Sequence, residues 1–533
     1  MKVLDMAMKL SRKHTWINKQ TVLGMLLMVM TPGLMASKCD QFPRRSICWS
    51  GDGQYAVVVS KVKGVAQLYL TTAEGRLSEP LEGGVVESLA SVAWFPDSKR
   101  FVTLFPFTVK KWEEIEHVLS KDQIERILSF KDDFFRELLV HEGTFKGWEP
   151  KSIERLSPAE QLSLGIYLHE HAAELDEKFK LGGRLKEVFK DKEVKIEDLK
   201  ATFLNMQIVN VQAGQMVPGK KIAVLTEPVN ISCVSPDGKW VAYTTPYSTD
   251  ITLHSTAPKF KPGTLMMVDA EGKLPPQVVA KNASIYPDFT ADSEWIVYAE
   301  TETPHSDDAL LTSLGSIKRK RIGSGGLLQR EADLLAGVLS PAATRISCQK
   351  DGEIWFSALR VTLPTGPSAD GSANWFSLAP GRRTTVAPLM PLTHDRRIYC
   401  PVGLFYGISD VRPDGKAVIF ADVSNDQVGS IPAGRVGYYT FADDSIKDLF
   451  EGLENPKVLE NIPVWRNNDE LSFVVGPGHG WGSPHRPELV NYSISKKEVR
   501  VLSKDWPDEL MIGLSLRPSS VASSQPGSEP KKE

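Results

Sequence analysis

The residues best placed by type and spacing to bind a ligand or partner lie in a Gly- and Pro-rich segment, residues 476–487. Its glycines and prolines would present His479, Trp481 and His485 on a loop, and functional residues concentrate on loops held by a rigid scaffold. These three are therefore the candidate binding residues. The alternative is that the segment is a long connecting loop whose Trp481 is packed.

Sequence motifs of hydrolytic enzymes are absent. Gly482-Ser483-Pro484 lacks the nucleophile-elbow pattern, and no His-Glu-x-x-His motif occurs. His169 and His171 are two residues apart in a predicted helix, so their side chains would point to different faces. We interpret residues 169–171 as an exposed polar stretch, and predict no catalytic residue, no metal site and no cofactor.

Two further segments could bind anions. The basic run Lys318–Arg321 could form an anion patch, but a solvated strand or loop edge is the simpler interpretation. Ser324-Gly325-Gly326 follows it without the strand-to-helix context of a phosphate-binding loop. The cysteines beyond Cys39 have no Cys-x-x-Cys spacing, so we expect small buried residues rather than zinc or redox sites at positions 48, 233, 348 and 400.

The composition is that of a globular protein with no preference for polyanions. The chain has 533 residues, 41% hydrophobic and 24% charged, with a net charge of −3. A slightly acidic chain is a poor match for nucleic acid. The partner class left open is protein or peptide.

A short segment occurs seven times and must position any such site. Each copy has an apolar residue, then a turn of the Ser-Pro-Asp-Gly type, then a β-branched or aromatic run. The apolar positions are Trp49, Trp94, Val234, Phe289, Leu339, Val411 and Trp465. Pro, Asp and Gly are turn residues, so each copy predicts an antiparallel hairpin.

The spacing of the copies predicts an all-β propeller. Asp97 follows Asp52 by 45 residues and Asp292 follows Asp237 by 55, close to the roughly 40–50 residues of a propeller blade. One hairpin cannot bury its apolar face alone, so copies must pack on one another. We predict seven blades, with six to eight as the range. When the copies are aligned, Asp288 and Asp410 are the only polar residues that occupy the same position on the predicted inner strands.

An α-helical insertion is predicted at residues 109–202, between the second and third copies. Apolar residues recur there at helical spacing, and Ser157, Pro158 and Glu160 form a helix-start signature with a capping box. Strand-like residues resume at Phe203 and would complete the second blade. The insertion would be an appendage on one face of the ring.

The N-terminal residues predict export. A basic region precedes the apolar run Val22–Met30, which is too short to span a bilayer, and Ala36 offers a cleavage site. We predict a signal peptide at residues 1–36 and a periplasmic or extracellular location. A lipid anchor at Cys39 is not expected, since Lys38 stands where such sites carry a small residue.

Val234–Tyr243 and Val411–Phe420 resemble the WD40-like (TolB-type, PD40) β-propeller repeat, in which an apolar residue and Ser-Pro-Asp-Gly precede a strand. The resemblance extends from about residue 44 to 517, apart from the insertion. It implies a propeller fold and a scaffold role. The Tol–Pal member of this family carries an α/β domain before its propeller, for which residues 37–46 are too few, so its partners are not carried over.

Two functions follow as hypotheses. The first is an exported, non-enzymatic propeller that binds a protein, a peptide or a component of the cell envelope, with the insertion as a lid or docking arm. The second is a hydrolase-like or lyase-like enzyme, or a small-ligand binder, that uses the central funnel. The predicted organisation is a signal peptide (1–36), propeller (44–108), helical insertion (109–202), propeller (203–517) and disordered tail (518–533).

Overall fold

The computed structural model describes most of the repeat region. The described ranges are 47–62, 65–84, 91–192, 199–245, 263–284, 286–301, 314–339, 344, 346–359, 361–362, 366–367, 372–378, 398–399, 410–422, 435–440, 445–449, 463–475 and 486–512. The predicted signal peptide, the tail, Cys39 and Cys400 lie outside them.

The strands of the N-terminal part form antiparallel sheets in chain order. One sheet contains β1 (Ile47–Trp49), β2 (Tyr55–Val62) and β3 (Val65–Thr72). The next contains β4 (Ala93–Trp94), β5 (Arg100–Val109), β6 (Ala201–Gln212) and β7 (Gln215–Leu225).

The α-helices of the described residues lie between β5 and β6. They are α1 (Trp112–Val118), α2 (Lys121–Ser129), α3 (Lys131–Val140), a 3-10 helix (Lys151–Arg155), α4 (Pro158–Glu170), α5 (Ala172–Phe179) and α6 (Arg184–Asp191). Val109 pairs with Ala201, so the two strands that flank the helices remain neighbours in one sheet. Residues 112–191 are called the helical arm below.

An eight-stranded sheet follows, made of two strand sets joined by the single pair Ala283 and Glu300. The first set is β8 (Asn230–Val234), β9 (Trp240–Thr245), β10 (Gly263–Asp269) and β11 (Gln277–Ala283). The second set is β12 (Asp288–Phe289), β13 (Trp295–Thr301), β14 (Leu314–Ile322) and β15 (Leu328–Leu339).

Three more four-stranded antiparallel sheets complete the described succession. The first contains β16 (Ile346–Cys348), β17 (Ile354–Leu359), β20 (Ser372–Leu378) and β21 (Ile398–Tyr399), with a separate hairpin of β18 (Val361–Thr362) and β19 (Gly366–Pro367). The second contains β22 (Asp410–Val411), β23 (Ala417–Asp422), β24 (Arg435–Thr440) and β25 (Ser445–Asp448). The third contains β26 (Val464–Trp465), β27 (Glu470–Val475), β28 (Glu488–Ser493) and β29 (Glu498–Val501).

Neighbouring sheets bury their apolar faces against each other. Val57 and Val59 of β2 pack against Phe101 of β5, whereas Ala56 and Val58 of the same strand pack on the other side. This alternation is the two-residue period of a strand whose two faces are both buried. Among the described residues, similar clusters join the other neighbouring sheets except the β16–β21 and β22–β25 pair. Between those two sheets, Gly415 lies directly beside Gln349.

The ring is closed by the C-terminal residues. β30 (Met511–Ile512) pairs with β2 at Ser60 and Lys61, on the same edge as β1. Trp506 is 5% exposed and its indole N–H donates to Gly75 O at 2.6 Å. Antiparallel sheets packed face to face, with the last on the first, make an all-β propeller, as predicted.

The turns explain the motif. In the copies at Asp52, Asp237 and Asp414, the aspartate Oδ1 accepts the backbone N–H two residues later, at 2.9–3.1 Å. The backbone N–H of Asp52 donates to Ser98 Oγ of the next sheet at 3.1 Å, and that of Asp237 donates to Ser293 Oγ at 3.0 Å. The motif therefore shapes each hairpin and also links neighbouring hairpins.

One of the seven predicted copies is wrong. Leu339 was predicted to begin the fifth hairpin, but it is the last residue of β15 and pairs with Leu314. The hairpin of the following sheet joins β16 to β17, with Asp351 Oδ1 accepting from Glu353 N at 3.0 Å. The turn of this hairpin lacks the Ser-Pro pair. A Ser-Pro pair does occur upstream in the sequence, at Ser340-Pro341.

Candidate binding surface

The predicted binding residues His479, Trp481 and His485 lie outside the described residues. The segment that contains them connects β27 to β28. Arg486 fixes its C-terminal end: the guanidinium donates to the carbonyls of Ser503, Lys504, Trp506 and Pro507 at 2.8–3.3 Å. The end of the predicted loop is thus anchored to the residues that close the ring.

The second-to-third strand connections lie on one face of the ring. Successive connections between antiparallel strands lie at alternate ends of a sheet, so these connections are opposite the tight first-to-second turns. Their flanking strand ends are Thr245 and Gly263, Thr301 and Leu314, Leu359 and Ser372, Asp422 and Arg435, and Val475 and Glu488. The helical arm is the equivalent connection between β5 and β6. The arm and the strand ends Val475 and Glu488 therefore lie on the same face.

Local capping signals define the arm. Ser157 Oγ accepts the N–H of Glu160, and Glu160 Oε2 accepts the N–H of Ser157 at 2.8 Å, so the predicted capping box is present at the start of α4. Ser120 and Gln123 form a second capping box at α2. Two capped helices place their apolar faces against one shared core.

That core continues into the ring. Arm residues Ile115, Leu164 and Leu185 are at most 1% exposed and belong to the same buried cluster as Phe203 and Ala201 of β6. Ser157 Oγ also donates to Thr226 O, on the connection between β7 and β8, at 2.9 Å. A shared apolar core makes the arm a rigid extension of its sheet.

The C-terminal end of α3 presents two aliphatic side chains to solvent. Leu139 is 47% exposed and Val140 is 77% exposed. The Arg184 guanidinium donates to the carbonyls of Leu138, Leu139 and His141 at 2.7–2.9 Å, which holds the backbone there in one conformation. We call Leu139 and Val140 the arm tip. The arm tip cannot be predicted from the sequence, since only the exposure of these residues distinguishes them from core residues.

His169 and His171 do not form a site. His169 packs edge-on against Phe189 with ring centroids 5.1 Å apart, whereas His171 stacks on Tyr167 at 4.4 Å. Glu170 accepts the backbone N–H of Trp112 through both carboxylate oxygens at 3.3 Å. The three side chains have different partners, as expected for residues on different faces.

The basic run Lys318–Arg321 is paired rather than free. Lys318 Nζ lies 2.7 Å from Glu300 and 3.6 Å from Glu331. Arg319 stacks over the Trp295 ring at 4.2 Å. Lys320 lies 3.4 Å from Glu331, and Arg321 lies 3.2 Å from Glu294. The run lies in strand β14, where Lys318, Lys320 and Arg321 pair with glutamates and Arg319 contacts an aromatic ring, so the run does not form an open anion patch. Ser324–Gly326 forms a 3-10 turn between β14 and β15.

Asp288, in the inner strand β12, accepts hydrogen bonds from the backbone. Its Oδ2 accepts the backbone N–H of Cys348 in the neighbouring sheet at 2.8 Å, and its Oδ1 accepts that of Phe289 at 2.8 Å. Burial raises the pKa of the Cys233 and Cys348 thiols well above their usual value, and the Asp288 carboxylate raises it further. Such thiols are protonated and unreactive near neutral pH. For Asp410, the structure describes only the backbone, in β22.

Among the described residues, no group of three or more His, Cys, Asp or Glu side chains is placed to hold a metal ion. In the same part of the chain, no helix has the length and apolar character needed to cross a membrane.

Comparison with known proteins gives structural similarities only. No family model and no curated protein matches the chain. TolB from Acinetobacter baumannii is similar at 18% identity and a TM-score of 0.27, over 56% of this chain and 65% of that one. The acylaminoacyl peptidase of Pyrococcus horikoshii matches at 13% identity and TM-score 0.33, over 56% of this chain and 41% of that one.

Kuenenia stuttgartiensis hydrazine synthase matches at 11% identity and TM-score 0.39, over 85% of this chain and 94% of that one. The matched region spans less than two thirds of the TolB and peptidase chains. The propeller fold follows from the order and packing of the sheets and does not depend on these similarities.

Proposed function

We propose that the protein is an exported, non-enzymatic scaffold of the TolB-type propeller class, with seven blades, that binds a protein, peptide or cell-envelope component. The observation that carries this proposal is the helical arm. It is fused to the ring by a shared apolar core, emerges on the face of the long connections, and presents Leu139 and Val140 to solvent. Two adjacent exposed aliphatic side chains on a rigid element offer a partner an apolar contact that needs little ordering on binding.

The alternative, an enzyme or small-ligand binder in the central funnel, gains no support from its main polar candidate. Asp288 is already bonded to two backbone N–H groups. Both oxygens of this carboxylate thus bond to backbone N–H groups, which indicates a structural role in joining neighbouring strands. Funnel chemistry therefore stays the second hypothesis.

The binding proposal predicts that the double substitution Leu139→Ser and Val140→Ser weakens partner capture at least about tenfold, the effect of losing roughly 1.4 kcal/mol of contact. The melting temperature should stay within about 2 °C of the parent, since exposed substitutions change stability little. The measurement is crosslinking and affinity capture from the native envelope, with the partner identified by mass spectrometry. Trp481→Ala with His485→Ala tests the predicted loop in the same assay.

Leu327→Ser is the matched control. Leu327 is 65% exposed, but it lies between β14 and β15, on the opposite face from the arm. A variant in which a short Gly-Ser linker joins Val109 to Ala201 removes the whole proposed insertion and should also lose capture while keeping its β signal. Equal capture by the arm-tip variant, the arm-deleted variant and the parent protein would contradict the proposal.

We also propose that residues 1–36 direct export. A reporter active only outside the cytoplasm, fused after residue 45, should be active, with a mature N-terminus near Ser37. The same fusion with the apolar run Val22–Met30 replaced by polar residues should be inactive, since export signals depend on that run. Reporter retained in the cytoplasm with residues 1–36 intact would refute the proposed location.

A further inference from the structure

The arm tip is a protrusion with open space beside it. Leu139 and Val140 are 47% and 77% exposed, and Val140 is the last residue of α3. A Cβ atom added at Gly143, in the loop after α3, would meet no atom within 4 Å, and the same is true at Gly182, in the turn before α6. The two aliphatic side chains therefore stand out from the arm and do not form the wall of a groove.

The backbone carbonyls at the tip already have hydrogen-bond donors. The last carbonyls of a helix lack donors within the helix, and an unpaired carbonyl is costly to remove from water. The His141 N–H donates to the Glu137 carbonyl at 3.1 Å. The Arg184 guanidinium supplies bonds of 2.7–2.9 Å to the carbonyls of Leu138, Leu139 and His141. The tip can therefore lose water around its aliphatic side chains while these carbonyls stay paired.

Charges of both signs surround the tip. Arg136 pairs with Asp133 on α3 at 2.9 Å, and the exposed residues Glu142 and Lys146 follow in the next loop. Mixed charges of this kind give no strong attraction to an acidic or a basic partner. The main driving force for binding at the tip is therefore the burial of apolar surface.

We propose that Leu139 and Val140 insert into the surface of a lipid bilayer. The proposal rests on the proposed function of the arm and identifies the cell-envelope component as the membrane. A specific protein interface buries roughly 800 Å² on each partner and fits its main apolar residues into pockets, more than two side chains on a protrusion offer. Lipid chains adapt to the shape of an inserted group, and they require that backbone polar groups be paired within the protein. The tip has both properties.

Vesicle flotation of the full chain tests the proposal. Every protein in the assay carries polar residues in place of Val22–Met30, so that this apolar run does not itself bind lipid. The parent protein should float with phosphatidylcholine vesicles. Adding phosphatidylglycerol, or raising the salt concentration, should change its partition coefficient by less than about twofold, because salt screens charges and not apolar burial.

Substitutions at the tip should change this partition coefficient in both directions. Leu139→Ser combined with Val140→Ser should lower it at least about tenfold, since both aliphatic groups are lost. Val140→Leu should raise it roughly three- to fourfold, because the change adds one methylene group to the inserted surface. The melting temperature of each variant should stay within about 2 °C of the parent.

Leu162→Ser is the matched control on the same arm. Leu162 is 40% exposed, close to the exposure of Leu139. It lies near the start of α4, where the Ser157 hydroxyl bonds to the Thr226 carbonyl of the ring, and so at the end of the arm that joins the ring. Leu162→Ser should leave the partition coefficient within about twofold of the parent value, since exposed substitutions away from the tip remove no inserted group.

Three outcomes would each overturn the proposal: a parent protein that does not float, flotation that requires phosphatidylglycerol or is abolished by salt, and a tip variant that floats like the parent. The capture assay, run on the same variants, separates this proposal from the proposed function. A protein captured through the tip, without binding to vesicles, would overturn the lipid assignment and leave the binding role of the arm in place. Loss of neither vesicle binding nor capture in the tip variant would overturn both.

Discussion

Replacing Gly326 by alanine should lower the free energy of unfolding by about 2–5 kcal/mol. Gly326 has a φ of +79°, and a Cβ atom there would collide with Cη2 of Trp240. Trp240 is 9% exposed and sits in the cluster that joins the β8–β11 strands to the β12–β15 strands, so its ring has little room to move. The measurement is urea unfolding of the full chain.

The neighbouring residue provides the matched control. Gly325 has a φ of +73°, but no atom lies within 4 Å of its added Cβ. Gly325→Ala should therefore cost only the backbone term, about 1–2 kcal/mol. In a Trp240→Leu background, the excess cost of Gly326→Ala should shrink, since a smaller side chain leaves room. Equal costs for the two glycine variants in the parent protein would show that the ring contact does not matter.

Truncating Trp465 to alanine should cost about 3–5 kcal/mol. Trp465 is 4% exposed and packs in the cluster between the β22–β25 and β26–β29 sheets. The Trp465 ring contacts the Tyr438 ring edge-on, with centroids 6.4 Å apart. The Arg412 guanidinium carbon lies over the Trp465 ring, 5.8 Å from its centroid. The cavity left by the indole would open between two sheets that hold the ring together. Thermal and urea unfolding both report this loss.

Trp94 occupies the same repeat position and should behave differently. Trp49 and Trp94 both stand at the apolar position before a turn, but Trp49 is 9% exposed whereas Trp94 is only partly buried. Its indole N–H donates to Cys48 O at 2.9 Å. Trp94→Ala should therefore cost clearly less than Trp465→Ala. A larger cost at Trp94 would mean that the hydrogen bond to Cys48, rather than burial, sets the contribution of this position.

The features of the fold that can be predicted from sequence are those made by residues close together in the chain. The turn residues at Asp52, Asp237 and Asp414 make hydrogen bonds within a few residues, so their pattern marks each hairpin without knowledge of the rest. The capping box at Ser157 is local in the same sense. The fifth hairpin was misplaced because its turn at Asp351 keeps the aspartate but lacks the serine and proline that define the pattern.

The unpredicted features depend on residues far apart in sequence. Arg184 holds the arm tip from more than 40 positions away, and Arg126 of α2 pairs with Glu160 of α4. Neither pair has a spacing that distinguishes it from other Arg and Glu residues. The pairing of the basic run Lys318–Arg321 also depends on residues outside it. The glutamates that pair with Lys318 and Lys320 lie on the adjacent strands β13 and β15, so the run alone does not show that its charges are paired.

The way the ring is closed has a consequence for how the protein is made. Trp49 bonds to Ser472, Arg500 to Ala73 and Trp506 to Gly75, contacts that join residues 423, 427 and 431 positions apart. Of the described sheets, the β1–β3 sheet is synthesised first, and it therefore stays incomplete until nearly all of the described chain has been synthesised. Closing so long a loop is entropically costly, and contacts between distant residues form slowly. During that interval the β1–β3 sheet lacks its final neighbour and needs protection from pairing with other chains.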